Sequence, residues 1–267
     1  MLGPCGDGSS DGPEAKSHPV EGMAEEILRV EGLTKRYGKF LALDDLSFSI
    51  NKGEVVGFLG PNGAGKSTAI KILCNLVRPT AGSIWLNGSS IVAQTDAEHR
   101  RGMGVIVEAP KFYPHLSGRR NLELLARIYH LPQSRVTELL AEVGLTDRQE
   151  ERFGRFSMGM KQRLGLAAVL LNEPSLIILD EPTTGLDPVG TRQIHDLIGS
   201  LTRDRKVSVL LCSHILSEVE VLCGRALVLH EGRLILDQSL KKPGGMKKIE
   251  QAFGKIAGDL TAKGEVG

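Results

Sequence analysis

The 267-residue sequence contains no apolar run near the length of roughly 20 residues that a membrane-spanning helix needs. Aromatic residues make up only 4% of it, and 33 basic residues against 32 acidic ones leave a formal net charge of +1. Nucleic-acid-binding proteins usually carry a basic excess or aromatic stacking platforms, and this composition favours neither. We therefore expect no nucleic-acid partner, and we expect any action at a membrane to require a partner chain.

Cysteine is also scarce in this chain. Cys5, Cys74, Cys212 and Cys223 are far apart and form no CxxC pair. Disulfide scaffolds are small and rich in cysteine, so this usage favours reduced thiols in a cytosolic chain. The first residues contain no basic segment followed by an apolar stretch, and we therefore expect no secretory signal.

Composition divides the chain into three parts. Residues 1–22 hold five glycines, three prolines and three serines, and a segment with so little apolar surface cannot offset the entropy lost on ordering. We predict a disordered tail over residues 1–24, with Met23 as an alternative start. We expect the main domain over residues 25–240, followed by a basic extension with a helix over residues 241–267.

Apolar patterning predicts alternating strands and helices, interrupted by one helical block. Continuous apolar runs indicate buried parallel strands, whereas strict alternation indicates strands with one exposed face. We predict strands at residues 27–30, 46–50, 54–59, 83–86, 105–107, 176–179 and 207–212, and a hairpin of residues 226–229 and 234–236 around Glu231-Gly232. Helices are predicted at residues 66–77, 189–202 and 246–260, with a helical subdomain over about 110–173 that places Leu122, Leu125 and Tyr129 on one face. The predicted class is α/β, with a parallel core and an inserted helical block.

A glycine-rich loop follows the apolar run of residues 54–59. Its residues are Gly60, Pro61, Asn62, Gly63, Ala64, Gly65, Lys66, Ser67 and Thr68, which match the pattern GxxxxGK[ST] between a predicted strand and a predicted helix. Glycines allow successive backbone N–H groups to point at phosphate oxygens, and the helix start adds its positive dipole end. Lys66 supplies a charge for the β- and γ-phosphates, and Ser67 offers its hydroxyl to Mg²⁺. The loop therefore predicts a nucleotide site.

Two carboxylates follow the apolar strand at residues 176–179. The carboxyl ends of parallel strands line the ligand crevice, so we expect Asp180 and Glu181 to face the nucleotide. Asp180 is placed to hold Mg²⁺, and Glu181 is placed to polarise the water that attacks the γ-phosphate. Alone, such a pair is as often a simple turn or helix cap, but beside a phosphate loop the functional interpretation is favoured.

Four further segments make the pattern specific. They are Arg36-Tyr37-Gly38, the run Phe156-Ser157-Met158-Gly159-Met160-Lys161-Gln162-Arg163, the run Gly185-Leu186-Asp187-Pro188, and Ser213-His214 at a strand end. With the phosphate loop and the acidic pair, they resemble the adenine-stacking aromatic, signature, D-loop and H-loop of the nucleotide-binding subunit of an ABC transporter. The resemblance covers about residues 27–260.

This resemblance implies a P-loop NTPase of the ABC cassette type, with a RecA-like parallel-sheet core, an antiparallel β subdomain and an inserted helical subdomain. It implies ATP and Mg²⁺ as cofactors. It also implies that two cassettes, identical or paralogous, pack head to tail around two Mg·ATP and drive a separate transmembrane permease. The chain is then expected at the cytoplasmic face of the membrane, attached through that permease.

The resemblance also implies roles for individual residues. Glu181, His214 and Lys66 are expected to be catalytic, and Ser67, Glu108 and Asp180 are expected to hold the metal. Nucleotide contacts are expected from the phosphate loop at residues 60–68 and from Tyr37, Ser157, Gly159, Met160 and Asp187. Taken alone, Ser157 is equally a helix N-cap, His214 is a common structural histidine, and Tyr37 is an ordinary half-buried aromatic.

Two positions depart from the usual family pattern. Met158 and Met160 flank the single Gly159 where the family commonly has Leu-Ser-Gly-Gly-Gln, and Glu108 stands where the family has the Q-loop glutamine. Together with Phe112-Tyr113-Pro114, these departures resemble the ABC-2-type exporters that include bacitracin and lantibiotic immunity ATPases. We expect the helical subdomain and the loop from Glu108 to His115 to form the permease dock.

Two other functions fit parts of this sequence. A soluble ABC ATPase without a permease, acting on ribosomes, DNA or cofactor assembly, is the alternative, although the chain has only one phosphate loop and no long coiled-coil insertion. A P-loop GTPase or small kinase ranks well behind, because such enzymes lack a signature like residues 157–163 and no guanine-reading Asn-Lys-x-Asp motif occurs.

Overall fold

The structure is a computed structural model that describes residues 25–91, 102–107 and 110–262, with side chains described through Ile256. The predicted tail, Met23 and Glu108 therefore lie outside the described residues. The strands are β1 (Glu26–Tyr37), β2 (Phe40–Asn51), β3 (Val55–Leu59), β4 (Ala81–Leu86), β5 (Ser89–Ser90), β6 (Met103–Ile106), β7 (Leu176–Asp180), β8 (Ser208–Cys212), β9 (Arg225–His230) and β10 (Arg233–Ser239). The helices are α1 (Lys66–Leu73), α2 (Gly118–Ile128), α3 (Gln133–Glu142), α4 (Met158–Leu170), α5 (Pro188–Arg205), α6 (Leu216–Leu222) and α7 (Gly245–Ala262).

Within the described residues, the strands form two sheets. The larger has six strands in the order β10-β9-β3-β8-β7-β6, and every pairing in it is parallel except that of β9 with β10. The smaller is antiparallel, in the order β2-β1-β4-β5. The predicted α/β class, with a parallel core, an antiparallel β subdomain and an inserted helical subdomain, is confirmed.

Side chains of the central strands alternate between two apolar clusters. In β3, Val55 and Leu59 pack into the cluster that contains the helical subdomain and α5, whereas Val56 and Phe58 pack into the cluster that contains the antiparallel sheet and α1. Both faces of this strand are therefore covered, which explains why its sequence is a continuous apolar run rather than an alternating one. Helix α7 joins the first cluster through Ile249 and Ile256.

The inserted subdomain consists of α2, α3 and α4 with two short 3₁₀ turns, Thr146–Arg148 and Phe153–Arg155. Three rings join its loops: Phe112 packs edge-on against Phe153 at a centroid distance of 5.2 Å, and Phe153 packs against Phe156 at 5.8 Å. Leu122 is fully buried on α2, as predicted. Tyr129, predicted for the same face, is the C-cap residue of this helix, and 43% of it is exposed.

Several predicted boundaries are wrong. The strands predicted over residues 27–30 and 46–50 are parts of the longer β1 and β2, because register shifts along this pair interrupt the alternation of apolar residues from which strands were predicted. The first helix was predicted over residues 66–77 but ends at Leu73, because Asn75 takes a left-handed φ of 55° and closes the helix. The N–H groups of Asn75 and Leu76 donate to the carbonyls of Ile72 and Lys71, both at 2.9 Å, which is the Schellman arrangement. Val107, predicted to lie in a strand, follows the last residue of β6 and is 43% exposed.

The parallel sheet brings three sequence motifs to one edge. Strands β3, β7 and β8 run in the same direction, with Phe58 opposite Cys212 and Cys212 opposite Asp180. The phosphate loop leaves the carboxyl end of β3, the acidic pair stands at the end of β7, and Ser213-His214 follows β8. The topology therefore places these segments around one crevice.

Candidate functional site

The phosphate loop turns from β3 into α1 with a backbone that only glycine suits at its tightest points. Gly65 precedes the helix with a φ of 104°, and a Cβ built there would lie 2.8 Å from the carbonyl oxygen of Ala42. At Gly60, a Cβ would lie 2.5 Å from the carbonyl oxygen of Leu229 on β9. The loop is thus packed between β2 and β9, which fixes the direction of its N–H groups.

The hairpin turn between β9 and β10 is hydrogen-bonded to the phosphate loop. Glu231 and Gly232 both have positive φ, as a two-residue hairpin turn requires. The N–H of Gly232 donates to the carbonyl of Ala64 at 3.0 Å, and its own carbonyl accepts from the N–H of Asp44 at 2.9 Å. The predicted hairpin around Glu231-Gly232 is confirmed, and it connects the phosphate loop to the antiparallel sheet.

A cavity of about 330 Å³ opens over the phosphate loop. Its lining residues are Phe40, Ala42, Pro61, Asn62, Gly63, Ala64, Gly65, Lys66, Ser67, Thr68, Asp180 and Glu181. The cavity is therefore lined by backbone N–H donors, one ammonium group, hydroxyl groups and two carboxylates. This set suits a phosphate chain with a divalent cation, because the donors face the anion and hard oxygen ligands face the metal.

Lys66 lies at the mouth of the loop and is half-buried. Its Nζ donates to the carbonyls of Gly60 and Pro61, the second at 3.1 Å. Burial lowers the pKa of the Lys66 ammonium below its ordinary value, and the neighbouring Cys212, Glu181 and Asp180 act in the opposite direction. The charge of Lys66 is therefore held in place by the loop's own backbone.

Glu181 stands one residue beyond β7 in a strained conformation, with a φ of 51°. Its N–H donates to the carbonyl of Cys212 at 2.9 Å, which ties it to β8. One carboxylate oxygen lies 2.7 Å from Nδ1 of His214, and the other accepts from the hydroxyl of Thr184 at 3.3 Å. Both oxygens of Glu181 are thus held by neighbours, and the side chain still faces the phosphate-loop cavity.

Ser157 caps α4, since its hydroxyl accepts from the N–H of Met160 at 3.3 Å. Asp187 caps α5 in the same way, accepting from the N–H of Gly190 at 2.6 Å. A Cβ at Gly159 would lie 3.9 Å from the Cα of Gly190, so the signature lies beside the start of α5. None of Ser157, Gly159, Met160 and Asp187 lines the phosphate-loop cavity.

The hairpin turn between β1 and β2 carries two exposed aromatic rings. Tyr37 is 46% exposed, and the Nζ of Lys35 lies 4.8 Å from the centre of its ring. Phe40, which pairs with Tyr37 across the turn, is 64% exposed and lines the phosphate-loop cavity, whereas Tyr37 does not line it. Sequence reasoning missed Phe40, although an aromatic residue three positions after the predicted adenine-stacking residue was the available signal.

A buried polar cluster was also missed. Thr183, Ser213 and Glu218 are each at most 5% exposed, and they connect the segment after β7 to the segment after β8. The available sign of this cluster in the sequence is a carboxylate four residues after His214, in a segment that also contains Ile215, Leu216 and Val219.

The described residues around the phosphate loop supply oxygen ligands of the kind that Mg²⁺ takes. No group of three or more His, Cys, Asp and Glu side chains that could hold a metal ion occurs in the described residues. The hydroxyl of Ser67 and the carboxylate of Asp180 line the same cavity and supply oxygen ligands. Phosphate oxygens commonly complete the coordination of Mg²⁺ in such sites.

Comparison with known proteins gives one consistent result. The family model described as ABC transporter matches residues 43–184. The chain is 44% identical over 216 residues to the uncharacterized ABC transporter ATP-binding protein YhcH of Bacillus subtilis (strain 168), covering 80% of this chain and 70% of that protein. It is 43% identical over 210 residues to the bacitracin transport ATP-binding protein BcrA of Bacillus licheniformis, covering 78% and 68%. It is 39% identical over 227 residues to the lantibiotic transport ATP-binding protein SrtF of Streptococcus pyogenes, covering 85% and 96%.

Solved structures agree with these relatives. The cbiO1 protein of Clostridium perfringens, part of the ABC transporter complex cbiONQ, has a TM-score of 0.77 at 27% identity, covering 91% of this chain and all of that one. The ATP-binding cassette MJ0796, in a dimeric post-hydrolysis state bound to ADP and Pi, has a TM-score of 0.72 at 25% identity, covering 81% and 100%.

ATP-binding subunits of this kind work as dimers with separate membrane permease components. Among the described residues, no helix combines the length and the apolarity needed to cross a membrane. The chain belongs to the ABC transporter family, as an ATP-binding subunit that hydrolyses ATP for transport.

Proposed function

We propose that this chain is the Mg·ATP-hydrolysing subunit of an ABC-2-type exporter, in which two cassettes close around two nucleotides and drive a separate permease. The observation that carries the proposal is the cavity shared by Lys66, Ser67, Asp180 and Glu181, with His214 held 2.7 Å from Glu181. Each group has the chemistry that phosphoryl transfer to water requires, because catalysis in such sites is mainly positioning and charge stabilisation.

ATP binds with its phosphates over the loop at residues 60–68. The backbone N–H groups and the start of α1 face the phosphate oxygens, and the Lys66 ammonium neutralises the β- and γ-phosphates. Tyr37 stacks on adenine, as the family resemblance implies, and Phe40 offers a second ring at the same turn. Base stacking on an exposed aromatic ring is favourable by about 1–3 kcal/mol.

The Ser67 hydroxyl and the Asp180 carboxylate would hold Mg²⁺, and the family resemblance adds Glu108 as a third oxygen ligand. When bound there, the cation neutralises charge that develops on the phosphate oxygens during hydrolysis. Ser67 opens the first turn of α1 and Asp180 ends β7, so both ligands stand on regular elements of the parallel sheet and its flanking helix.

Glu181 acts as the general base. Its carboxylate accepts the proton of the water that attacks the γ-phosphate, while His214 orients that carboxylate and contacts the γ-phosphate from the other side. The strained φ of Glu181 and its bond to the backbone of Cys212 hold the base at the edge of the cavity. Restricting the carboxylate to this position lowers the entropic cost of reaching the reactive geometry.

The second half of each site comes from the partner cassette. Ser157, Gly159, Met160 and Asp187 do not line the cavity of their own chain, and the start of α4 presents backbone N–H groups and a dipole that favour an anion. In the closed dimer, these residues face the γ-phosphate held by the other copy. The partner is a second cassette, identical or paralogous.

The permease docks on the helical subdomain. A mainly apolar cavity of about 320 Å³ lies between the end of β6 and helix α4, and its rim carries the exposed Val107 and the half-buried Phe112. Tyr113, the next residue along the loop, is 59% exposed. This dock holds the chain at the cytoplasmic face of the membrane. The relatives named for bacitracin transport, lantibiotic transport and daunorubicin resistance support an antibiotic as the cargo.

The test of this proposal is the Glu181→Gln variant. The amide keeps the size and one oxygen of the side chain but cannot accept a proton, so we expect steady-state ATP hydrolysis to fall by more than about 100-fold with ATP affinity within about twofold. Because hydrolysis reopens the dimer, the variant accumulates as an ATP-dependent dimer in size-exclusion chromatography.

Glu173→Gln is the matched control. Glu173 also has a positive φ of 51° but lies in a surface ion pair with Arg135, away from the cavity. We expect this variant to hydrolyse ATP at the wild-type rate. Unchanged hydrolysis in Glu181→Gln would falsify the assignment of the base.

A further inference from the structure

Glu218 is a carboxylate buried in the protein interior. It lies in α6, the short helix that follows His214, and only 4% of it is exposed. Burying a charged side chain is unfavourable unless its oxygens are hydrogen-bonded. Both oxygens of Glu218 accept such bonds, one from the hydroxyl of Thr183 and one from the hydroxyl of Ser213 at 2.7 Å.

The hydrogen bond from Thr183 connects Glu218 to the proposed base, Glu181, through the segment after β7. Thr183 is 5% exposed and donates to Glu218. The next residue, Thr184, donates from its hydroxyl to one carboxylate oxygen of Glu181 at 3.3 Å, and its N–H donates to the carbonyl of Glu181 at 3.2 Å. Fixing Thr183 therefore fixes the residue that holds one side of Glu181.

The second bond leads to the same base through the segment after β8. Ser213 is fully buried; its hydroxyl donates to Glu218 and accepts from the N–H of Ile215 at 3.0 Å. His214 lies between these two residues, so the backbone on both sides of it is held. Its Nδ1 lies 2.7 Å from the other carboxylate oxygen of Glu181.

We propose that Glu218 is a positioning residue for ATP hydrolysis. Its buried carboxylate locks the segments after β7 and β8 together, so that Thr184 and His214 hold the two oxygens of Glu181. This inference rests on the proposed role of Glu181. Glu218 itself lines a cavity of about 440 Å³ that shares no lining residue with the phosphate-loop cavity, so it acts through Glu181 and not on the nucleotide.

The test compares Glu218→Gln with Glu220→Gln, an exposed carboxylate on the same helix. A glutamine keeps the size of the side chain, but its NH₂ group cannot accept the hydroxyl bond that one carboxylate oxygen accepts. We expect kcat for ATP hydrolysis to fall roughly 10- to 100-fold in Glu218→Gln, with KM for ATP within about twofold, because the loss lies in the orientation of the base. Glu220→Gln retains both constants.

A double-mutant cycle separates positioning from a general loss of structure. If Glu218 acts through Glu181, then adding Glu218→Gln to Glu181→Gln produces no further loss in single-turnover hydrolysis followed with excess protein. A role confined to the stability of α6 lowers the melting temperature and adds a full further loss in that background. Thr183→Val, which removes one hydroxyl at nearly constant volume, gives the same test should Glu218→Gln fail to fold.

The outcomes are distinct. A wild-type kcat in folded Glu218→Gln, or a further loss of full size in the Glu181→Gln background, overturns the inference. Normal turnover in Glu181→Gln itself overturns the proposed function instead, because the base is then another group. A loss of kcat in Glu218→Gln that disappears in the Glu181→Gln background supports both the positioning role of Glu218 and the proposed role of Glu181 as the base.

Discussion

At the scale of single residues, the site depends on glycines that allow close backbone approach. Gly65 has a φ of 104°, and a Cβ there would meet the carbonyl oxygen of Ala42 and Cδ2 of Leu43, each at 2.8 Å. The sequence predicted the loop because this local requirement appears directly as a residue type. Glu218 was not predicted, since its role depends on which distant residues it meets in the folded chain.

Gly65→Ala tests this requirement. We expect the substitution to lower ATP affinity by at least about tenfold, because a side chain at this φ is unfavourable by about 1–3 kcal/mol and displaces the loop. Isothermal titration with ATP measures the effect. Gly254→Ala is the control, since a Cβ at Gly254 in helix α7 meets nothing within 4 Å. Equal affinities for the two variants would contradict the account of the loop.

At the scale of secondary-structure elements, helix starts carry both capping and proposed binding roles. Ser157 caps α4 and Ser117 caps α2, each accepting an N–H bond from the residue three positions on. The elements themselves were mostly predictable, because apolar patterning reports burial. The end of α1 was missed, although Asn75, a residue type that adopts the left-handed conformation at helix ends, was the available signal.

Ser157→Asp separates the two roles of Ser157. Aspartate caps helices about as well as serine and complements the dipole, so we expect the melting temperature to stay near the wild-type value. The added negative charge faces the γ-phosphate of the partner cassette, and we expect hydrolysis to fall by at least about tenfold. Ser117→Asp makes the same change at the start of α2 and retains hydrolysis. Full activity in Ser157→Asp would rule out the shared site.

At the scale of the whole molecule, two apolar clusters cover both faces of the parallel sheet, bury Cys212 and Cys223, and half-bury Cys74. Burial raises the pKa of Cys74 to about 11 and that of Cys223 to about 12, and it raises the pKa of Cys212 well above its ordinary value. These three cysteines are free thiols, as the sequence predicted. The sequence could not predict their burial, because it depends on packing between distant elements.

Iodoacetamide labelling tests how far these thiols are protected in the folded protein. At pH 8, we expect Cys74, Cys212 and Cys223 of the native Cys5→Ser variant to react with iodoacetamide far more slowly than in denaturant, counted by mass spectrometry. The unfolded chain releases these protons near the ordinary thiol pKa, whereas the folded chain keeps them. The free energy of unfolding therefore decreases as the pH rises from about 9 toward 11. Equal labelling of native and denatured protein would contradict this protection.

The central claim is that this cassette powers a separate permease through the helical subdomain. The most direct measurement is affinity purification of the tagged protein from detergent-extracted host membranes, with mass spectrometry of what is bound. We predict a polytopic membrane protein without its own nucleotide-binding cassette, and we predict its loss in Tyr113→Glu, which places a charge on the exposed loop of the dock while basal ATP hydrolysis is retained. Recovery from the soluble fraction alone, with ribosomes or assembly factors bound, would contradict the claim and favour an ABC ATPase that works without a permease.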